Sequence, residues 1–307
     1  MEIVVCAMAK NEHKYINEWV AHYLGLGVDK IYIYDNDDLD KPYIKDYIDT
    51  KYLDKVVIKN IRGQQRPKLQ HDIYTGFYIK YGKTFDWCLF CDIDEFLFGV
   101  ENVHSWLLQT QFRNAKQIRV KWKLFGDDDL ITRDMSKGVV ETFTKEITNS
   151  LHRNLKQKGN LEKQGKMLVR GGLDNVVIRS PHFASFGCRD NVIPSVLPSG
   201  KVSFSKVVIE EDYSNEKVYL HHYMTKSLSE FVNQKLNRTD AVFGNTLALD
   251  YYWRINRKTQ EKIKYLQDMG LKIYWYINVH FIQLDIYEVK IWNKHTLLQE
   301  KNLPKRV

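Results

Sequence analysis

The sequence predicts an α/β domain built on an open, mostly parallel sheet with helices packed against it. Three observations carry that reading. Apolar, β-rich runs alternate with segments of helical periodicity through the first third of the chain. The first three of these segments form a βαβ unit, which implies parallel strands joined by a right-handed crossover. The polar clusters Lys10–Glu12, Asp35–Asp38 and Asp92–Glu95 each follow an apolar run, which places all three at the carboxyl edge of the sheet, where ligands bind.

Ile3–Met8 is the first strand, apolar and β-rich. After Ala9, Lys10, Asn11 and Glu12, the residues Tyr15, Ile16, Trp19, Val20, Tyr23 and Leu24 recur at helical spacing on one face. Gly25 and Gly27 stop that helix. Lys30–Tyr34 is the second strand, followed by a helix over Tyr43–Tyr52, a strand over Val56–Ile61, a helix over Leu69–Tyr81 and a strand over Trp87–Cys91. A short helix is predicted over Val103–Leu108 and an alternating strand over Gln117–Leu124. From Lys137 to Ile209, Gly, Asn and Pro separate short strand-like pieces: Val139–Thr144, Lys166–Arg170, Asn175–Arg179 and Val202–Ile209. This half reads as mixed or antiparallel, with polar, Lys-rich Leu151–Gly165 as a loop or lid. Val218–His222 is a strand. Ser227 with Glu230 three residues on forms a capping box for a helix reaching about Arg238. Ala241–Trp253 and Gln260–Met269 read as helices, and the aromatic stretch Tyr274–Trp292 fits strand or helix.

With 307 residues, 44% of them hydrophobic, the chain can bury a sizeable core. Its 46 basic and 38 acidic residues leave a net charge of +8, which favours anionic partners such as nucleotides, phosphorylated glycolipids or an anionic membrane face. The excess is dispersed, which argues against nucleic acid. Nineteen tyrosines suit sugar rings and bases but also fill cores. Cys88 and Cys91 have CxxC spacing inside a strand, which sends them to opposite faces. With no second such pair, the spacing argues against a zinc site, and buried thiols in a reducing compartment are expected. Met1–Ala9 is too short for a signal peptide and no run could span a bilayer, so a cytoplasmic location is expected.

The chemistry centres on Trp87–Phe98, WCLFCDIDEFLF. An apolar run delivers Asp92, Asp94 and Glu95, then apolar residues resume. Burying three carboxylates there is costly unless something pairs with them. In an extended segment Asp92 and Asp94 share one side, and two carboxylates aimed at one point suit Mg²⁺ or Mn²⁺. The plainer reading is a solvated acidic turn. His222, at the end of a late strand, is a reasonable further ligand; its alternative is an ordinary, partly buried histidine, and His221 faces the other way. Asp35 could accept from a base N–H or a ribose hydroxyl, or belong to a solvated turn. The basic loop Arg62–Lys68 could contact phosphates or be merely solvated. DNDDLD is no calcium loop, because Asp40 stands where glycine is required. No GxxxxGK or GxGxxG occurs.

Taken in order, Lys10-Asn11-Glu12, Glu18-Trp19, Tyr34-Asp35-Asn36, Gln70, Asp92-Ile93-Asp94-Glu95-Phe96, Trp122 with Phe125-Gly126, and His222-Tyr223 with Lys226-Ser227 resemble glycosyltransferase family 92 and its bacterial family-2-like relatives. The resemblance runs from Ile3 to Leu236. It implies a GT-A-like fold with a Rossmann-type mixed sheet: a transferase domain over 1–225, with a nucleotide-sugar half to about 100 and an acceptor half beyond, then a helical and aromatic C-terminal extension over 226–307. It further implies a UDP-linked sugar donor at Ala9, Lys10, Asn11, Glu12, Asp35, Gln70, Asp92 and Ile93, with Mn²⁺ or Mg²⁺ on Asp92, Asp94 and His222. A glycan or glycolipid is the expected acceptor, with peripheral contact to an anionic membrane and no nucleic acid. For an inverting reaction the candidate bases are Asp127, Asp128, Asp190 and Glu211. The chain departs from the pattern in placing Asp127-Asp128-Asp129 after Phe125-Gly126, and in lacking the membrane anchor of secreted members, which points to a bacterial or viral cytosolic enzyme. The alternatives are a nucleotidyl or phosphoryl transferase using the same acids, and a non-catalytic carbohydrate-binding protein.

Overall fold

The computed structural model describes residues 1–147, 164–188, 191–204, 206, 216–236, 248–253, 255–276 and 288–292. The α/β expectation holds. Strands β1 (Ile3–Ala9), β2 (Lys30–Asp35), β3 (Val56–Asn60) and β4 (Trp87–Phe90) pair in parallel in the order β3-β2-β1-β4. Their apolar runs are continuous because both faces are covered. Helix α1 (Ile16–Gly25) buries Ile16, Trp19, Val20 and Tyr23 against one face. Helix α2 (Leu69–Tyr81) buries Tyr74, Phe77 and Tyr78 against the other. The period of two sorts β1 between them: Ile3, Val5 and Ala7 join the α1 layer, Val4 and Cys6 the α2 layer. The same alternation separates Cys91 from Cys88, and all four cysteines are free.

The second half builds onto β4. After β5 (Glu95–Phe98) and α3 (Val103–Leu107) comes the long β6 (Gln117–Leu124), then α4 (Val139–Thr142) and β7 (Gly165–Arg170). Strand β7 lies antiparallel between β4 and β6. A small hairpin of β8 (Val176–Val177) and β9 (Ser185–Phe186) follows, then β10 (Ser195–Val196) and β11 (Val202–Ser203) beyond β6. Strand β12 (Tyr219–His222) pairs parallel with the end of β6 and antiparallel with β5. Helices α5 (Leu228–Gln234), α6 (Leu249–Trp253) and α7 (Gln260–Asp268) share an apolar cluster around Phe231, Tyr252 and Leu266. Strands β13 (Lys272–Tyr276) and β14 (Glu288–Trp292) form an antiparallel pair.

Several expectations change. Tyr43–Tyr52 is two 3₁₀ turns, Ile44–Tyr47 and Thr50–Tyr52, not one helix. Only Ile44 and Ile48 are buried there, and the Asp49 carboxylate accepts the Lys51 N–H, a local bond that competes with a continuous helix. Val139–Thr142 is a helical turn rather than a strand, because the Glu18 carboxylate accepts the N–H groups of Val139 and Val140 at 2.7 and 3.0 Å. The fourth strand stops at Phe90, and Glu95–Phe98 is a strand of its own. The capping box at Ser227 and Glu230 is present, though its helix ends at Gln234. The bulk of the expected lid (151–163) and parts of the expected elements at 207–209, 237–238, 241–247 and 277–287 lie outside the described residues. Contacts cross the expected boundary at 225: the Tyr15 hydroxyl donates to Glu230 at 2.8 Å, and Lys262 meets Asp127 at 2.5 Å.

Gly165 opens β7 against β6, where a Cβ would stand 2.1 Å from the Val120 carbonyl oxygen. Gly165→Ala is expected to destabilise the fold by about 1–3 kcal/mol through overpacking, read as a lowered urea midpoint.

Candidate functional site

Between β4 and β5 the chain makes a turn that carries Asp92, Ile93, Asp94 and Glu95 into the interior. Ile93 anchors it by burying its side chain in the α1-side core. Two helices hold its backbone. From α1, Trp19 Nε1 donates to the carbonyls of Asp92 and Glu95 at 3.1 and 3.0 Å, and the Tyr23 hydroxyl donates to Glu95 at 3.1 Å. From α2, the Tyr74 hydroxyl donates to the Cys91 carbonyl at 3.3 Å. The turn is not the extended segment expected from sequence, so its two aspartates take different partners.

Asp92 Oδ1 accepts from Gln70 Nε2 at 2.8 Å and Oδ2 from Lys166 Nζ at 2.6 Å. Asp94 Oδ2 accepts from Lys235 Nζ at 2.5 Å, while its Oδ1 faces His222 Nε2 at 3.5 Å. Burial raises both carboxyl pKa values, but the ammonium groups outweigh it: Lys166 holds Asp92 below the usual range, and Lys235 with His222 holds Asp94 well below it. Glu95 is fully buried. Its Oε2 accepts the Asp92 N–H at 2.9 Å, and its Oε1 makes no hydrogen bond, with Lys166 Nζ at 3.6 Å and His222 Nδ1 at 3.9 Å. Burial pushes the Glu95 carboxyl well up, opposed by Lys166. Strand pairing brings His222 here, since β12 sets it directly opposite Glu95. The Trp122 ring packs 4.5 Å from the imidazole, and burial lowers its pKa against the pull of Asp94. His221 points the other way, stacked on Phe98 at 4.1 Å.

The carboxyl ends of β1 and β2 form the adjoining wall. Lys10 Nζ reaches Asp38 at 3.0 Å, and the N–H of Asn11, a residue at φ 59°, donates to Asp37. The Ala9 carbonyl accepts the Asn36 N–H at 2.8 Å, and the Glu12 carbonyl accepts the first N–H groups of α1. Asp35 is fully buried and engaged by its own loop, accepting from the N–H of Asp37 and of Ile44. Asn36 Oδ1 and Asp37 Oδ2 are among the buried acceptors at this edge that make no hydrogen bond. In the basic loop, Arg62 donates to the carbonyls of Asp38, Leu39 and Lys41, and Arg66 pairs with Asp72. These two guanidinium groups brace the loop.

Residues 1–240 match the model of glycosyltransferase family 92. The chain belongs to that family. A glycosyltransferase family 92 protein of Ricinus communis is 31% identical over 100 residues, covering 31% of this chain and 17% of that protein's length. The match to this relative therefore spans about a sixth of it.

In this family 92 chain the expected residues Lys10, Asn11, Glu12, Gln70, Asp92, Asp94 and His222 gather at one edge of the sheet, with Ala9 and Ile93 as buried supports. Of the base candidates, Asp127 and Asp128 are described, and neither joins them as a free carboxylate. Asp127 is buried, its Oδ2 taken by Lys262 and the Tyr252 hydroxyl and its Oδ1 by the Asp129 N–H. Asp128 accepts from Thr144 and from the Lys145 N–H. Both placements argue against a base and for structural duty, Asp127 in docking α6 and α7. Asp190 and Glu211 lie outside the described residues. Sequence reasoning missed Lys166 and Lys235. Three adjacent carboxylates next to apolar strands signalled that cations must reach them, but nothing along the chain said which. Among the described residues no three His, Cys, Asp or Glu side chains stand together as a metal-holding group.

His182 stands behind this site, its Nδ1 at 2.9 Å from the Gly165 carbonyl and its ring edge-on to Trp122. Burial and the Lys166 charge hold its pKa down at about 3, whereas unfolded histidine titrates near about 6.5. Below that pH the unfolded chain binds a proton the folded one refuses, so this contribution to stability falls as pH drops from about 6.5 toward 3. Glu95 acts in the opposite sense, its raised pKa favouring the folded state at low pH. Comparison with His182→Asn isolates the histidine. The urea midpoint of the wild type is expected to fall more between pH 7 and pH 5 than that of the variant, and equal falls would refute the assignment.

Proposed function

We propose that this chain transfers a sugar from a UDP-linked donor to a glycan or glycolipid acceptor, with inversion at the anomeric carbon and with dependence on Mn²⁺ or Mg²⁺. The observation that carries the reading is the buried turn Asp92–Glu95 with His222 set against it at the carboxyl edge of the sheet, in a chain of glycosyltransferase family 92. The donor groups fit a divalent cation in kind, being carboxylate oxygens and an imidazole. Asp94 Oδ1 and His222 Nε2 face each other, and Glu95 Oε1 and His222 Nδ1 are buried without hydrogen bonds.

Charge supports a cation as well. The carboxylates of Asp92, Asp94 and Glu95 stand against the ammonium groups of Lys166 and Lys235. Even with Glu95 protonated the cluster is at best neutral, so it offers nothing to offset a diphosphate unless a cation enters with it. Asp92, Asp94 and His222 would hold that ion by drawing together and exchanging the Lys166 and Lys235 ammonium contacts for it, and when bound it would neutralise charge developing on the departing diphosphate. Trp19 and Tyr23 fix the backbone of the turn that carries these groups. Asn36 Oδ1 and Asp37 Oδ2 are the acceptors suited to a base N–H or ribose hydroxyl. The net charge of +8 suits an acceptor on an anionic glycan carrier, met at a cytoplasmic membrane face. No helix of the described residues is long and apolar enough to cross a membrane.

Asp94→Asn is expected to abolish UDP-sugar turnover and Mn²⁺-dependent UDP binding, with circular dichroism checking that the variant is folded. A folded variant with wild-type, metal-dependent turnover of a nucleotide-sugar panel would end this reading.

A further inference from the structure

Lys226 has no task in the site as built so far. It lies between β12 and α5 with a backbone φ of 55°, in the left-handed region that a side chain disfavours. Such positions persist where the surroundings enforce them, and they cluster at ligand sites. The side chain is buried, only 2% exposed, yet its Nζ makes no hydrogen bond. Its surroundings are the Tyr15 ring, 4.1 Å from Nζ to the ring centre, and the Glu12 carboxylate, whose Oε2 is 3.6 Å away. Lys235, Asp94 and Glu230 also act on it electrostatically. The ammonium therefore stands against the loop after β1, within electrostatic reach of Asp94 on the Asp92–Glu95 turn.

A buried ammonium carries three donors and is costly to leave unsatisfied. If Lys226 served only to pin Glu12, the pair would close to hydrogen-bonding distance, as Lys235 does with Asp94 at 2.5 Å and Lys166 with Asp92 at 2.6 Å. The pair does not close, so donors on the Lys226 ammonium remain for a further acceptor. We propose that Lys226 is a direct protein contact to the donor's diphosphate, with its Nζ donating to phosphate oxygens between Glu12 and Asp94. This rests on the nucleotide-sugar reading above.

The test is calorimetric titration of wild type and Lys226→Met with UDP and with uridine, both with and without Mn²⁺. A charge-assisted hydrogen bond lost from the diphosphate predicts UDP affinity reduced about tenfold to a hundredfold, with uridine affinity unchanged. If wild type binds UDP and a folded Lys226→Met binds it equally well, the Lys226 assignment falls and the donor reading stands. If wild type binds neither UDP nor UDP-sugars, the donor reading falls and takes this assignment with it. Should Lys226→Met fail to fold, Lys226→Gln, which keeps the length and polarity but not the charge, is titrated in its place. UDP affinity is again expected to fall while uridine affinity holds, and an unchanged ratio of the two overturns the proposal.

Discussion

The structure depends on holding three acidic groups in one turn, Asp94 and Glu95 buried and Asp92 part-buried. Desolvation pushes the carboxyl pKa of Asp92, Asp94 and Glu95 upward. Lys166 and Lys235 reverse that for the two aspartates and not for Glu95. The division follows geometry. One oxygen of each aspartate receives an ammonium at hydrogen-bonding distance, whereas Glu95 stands 3.6 Å from Lys166 and uses one oxygen to hold the backbone N–H of Asp92. Removing one partner from such a pair is more damaging than never having had the pair, because it strands a charge in the interior. The ion pairs thus constrain the chain more than they stabilise it.

That constraint explains the sheet. The compensating lysines are distant in sequence from the turn, so the topology must deliver them. Strand β7 runs antiparallel beside β4, which returns its first residues, Gly165 and Lys166, to the edge where β4 ends. Strand β12 inserts between β5 and the end of β6 and sets His222 opposite Glu95. The chain then turns into α5, whose far end returns Lys235 to Asp94 and whose Gln234 carbonyl accepts from the Asn11 side chain. The parallel half of the sheet presents the carboxylates, and the mixed half supplies their counter-charges.

The parallel half was legible from the chain because each strand is bounded by polar residues and separated by a periodic helix. Trp19 and Tyr23 were legible as core, though not as donors to the turn. The turn itself misled the pattern: an unbroken apolar and acidic run looks like one strand, whereas the hydrogen bonds of Trp19 to two of its carbonyls fold it back. Asp127 and Asp128 looked like free acids after a strand, but their partners, Lys262, Tyr252, Thr144 and Lys145, come from separate segments. Asp35 held its expected place but not its expected freedom, because its own loop bonds the carboxylate and the open acceptors fall on Asn36 and Asp37. Local chemistry named the edge of the sheet. Which acid there is structural and which is open depends on long-range pairing, which no spacing rule encodes.

Two residues with side chains, Asn11 and Lys226, hold left-handed backbones on opposite walls of this edge. Helix α5 links them. Its capping residue Ser227 follows Lys226, its Glu230 receives both the Tyr15 hydroxyl and Arg133, and its last carbonyl takes the Asn11 amide. Glu230 does three things at once: it closes the cap, it neutralises a buried Arg133, and it fixes Tyr15, whose ring lies against the Lys226 ammonium. The strain at Asn11 and Lys226 is therefore imposed from one helix, and neither residue can relax without releasing the other's wall. A strained pair held in register by buried charges is pre-organised, so a ligand entering between the walls finds its partners already oriented.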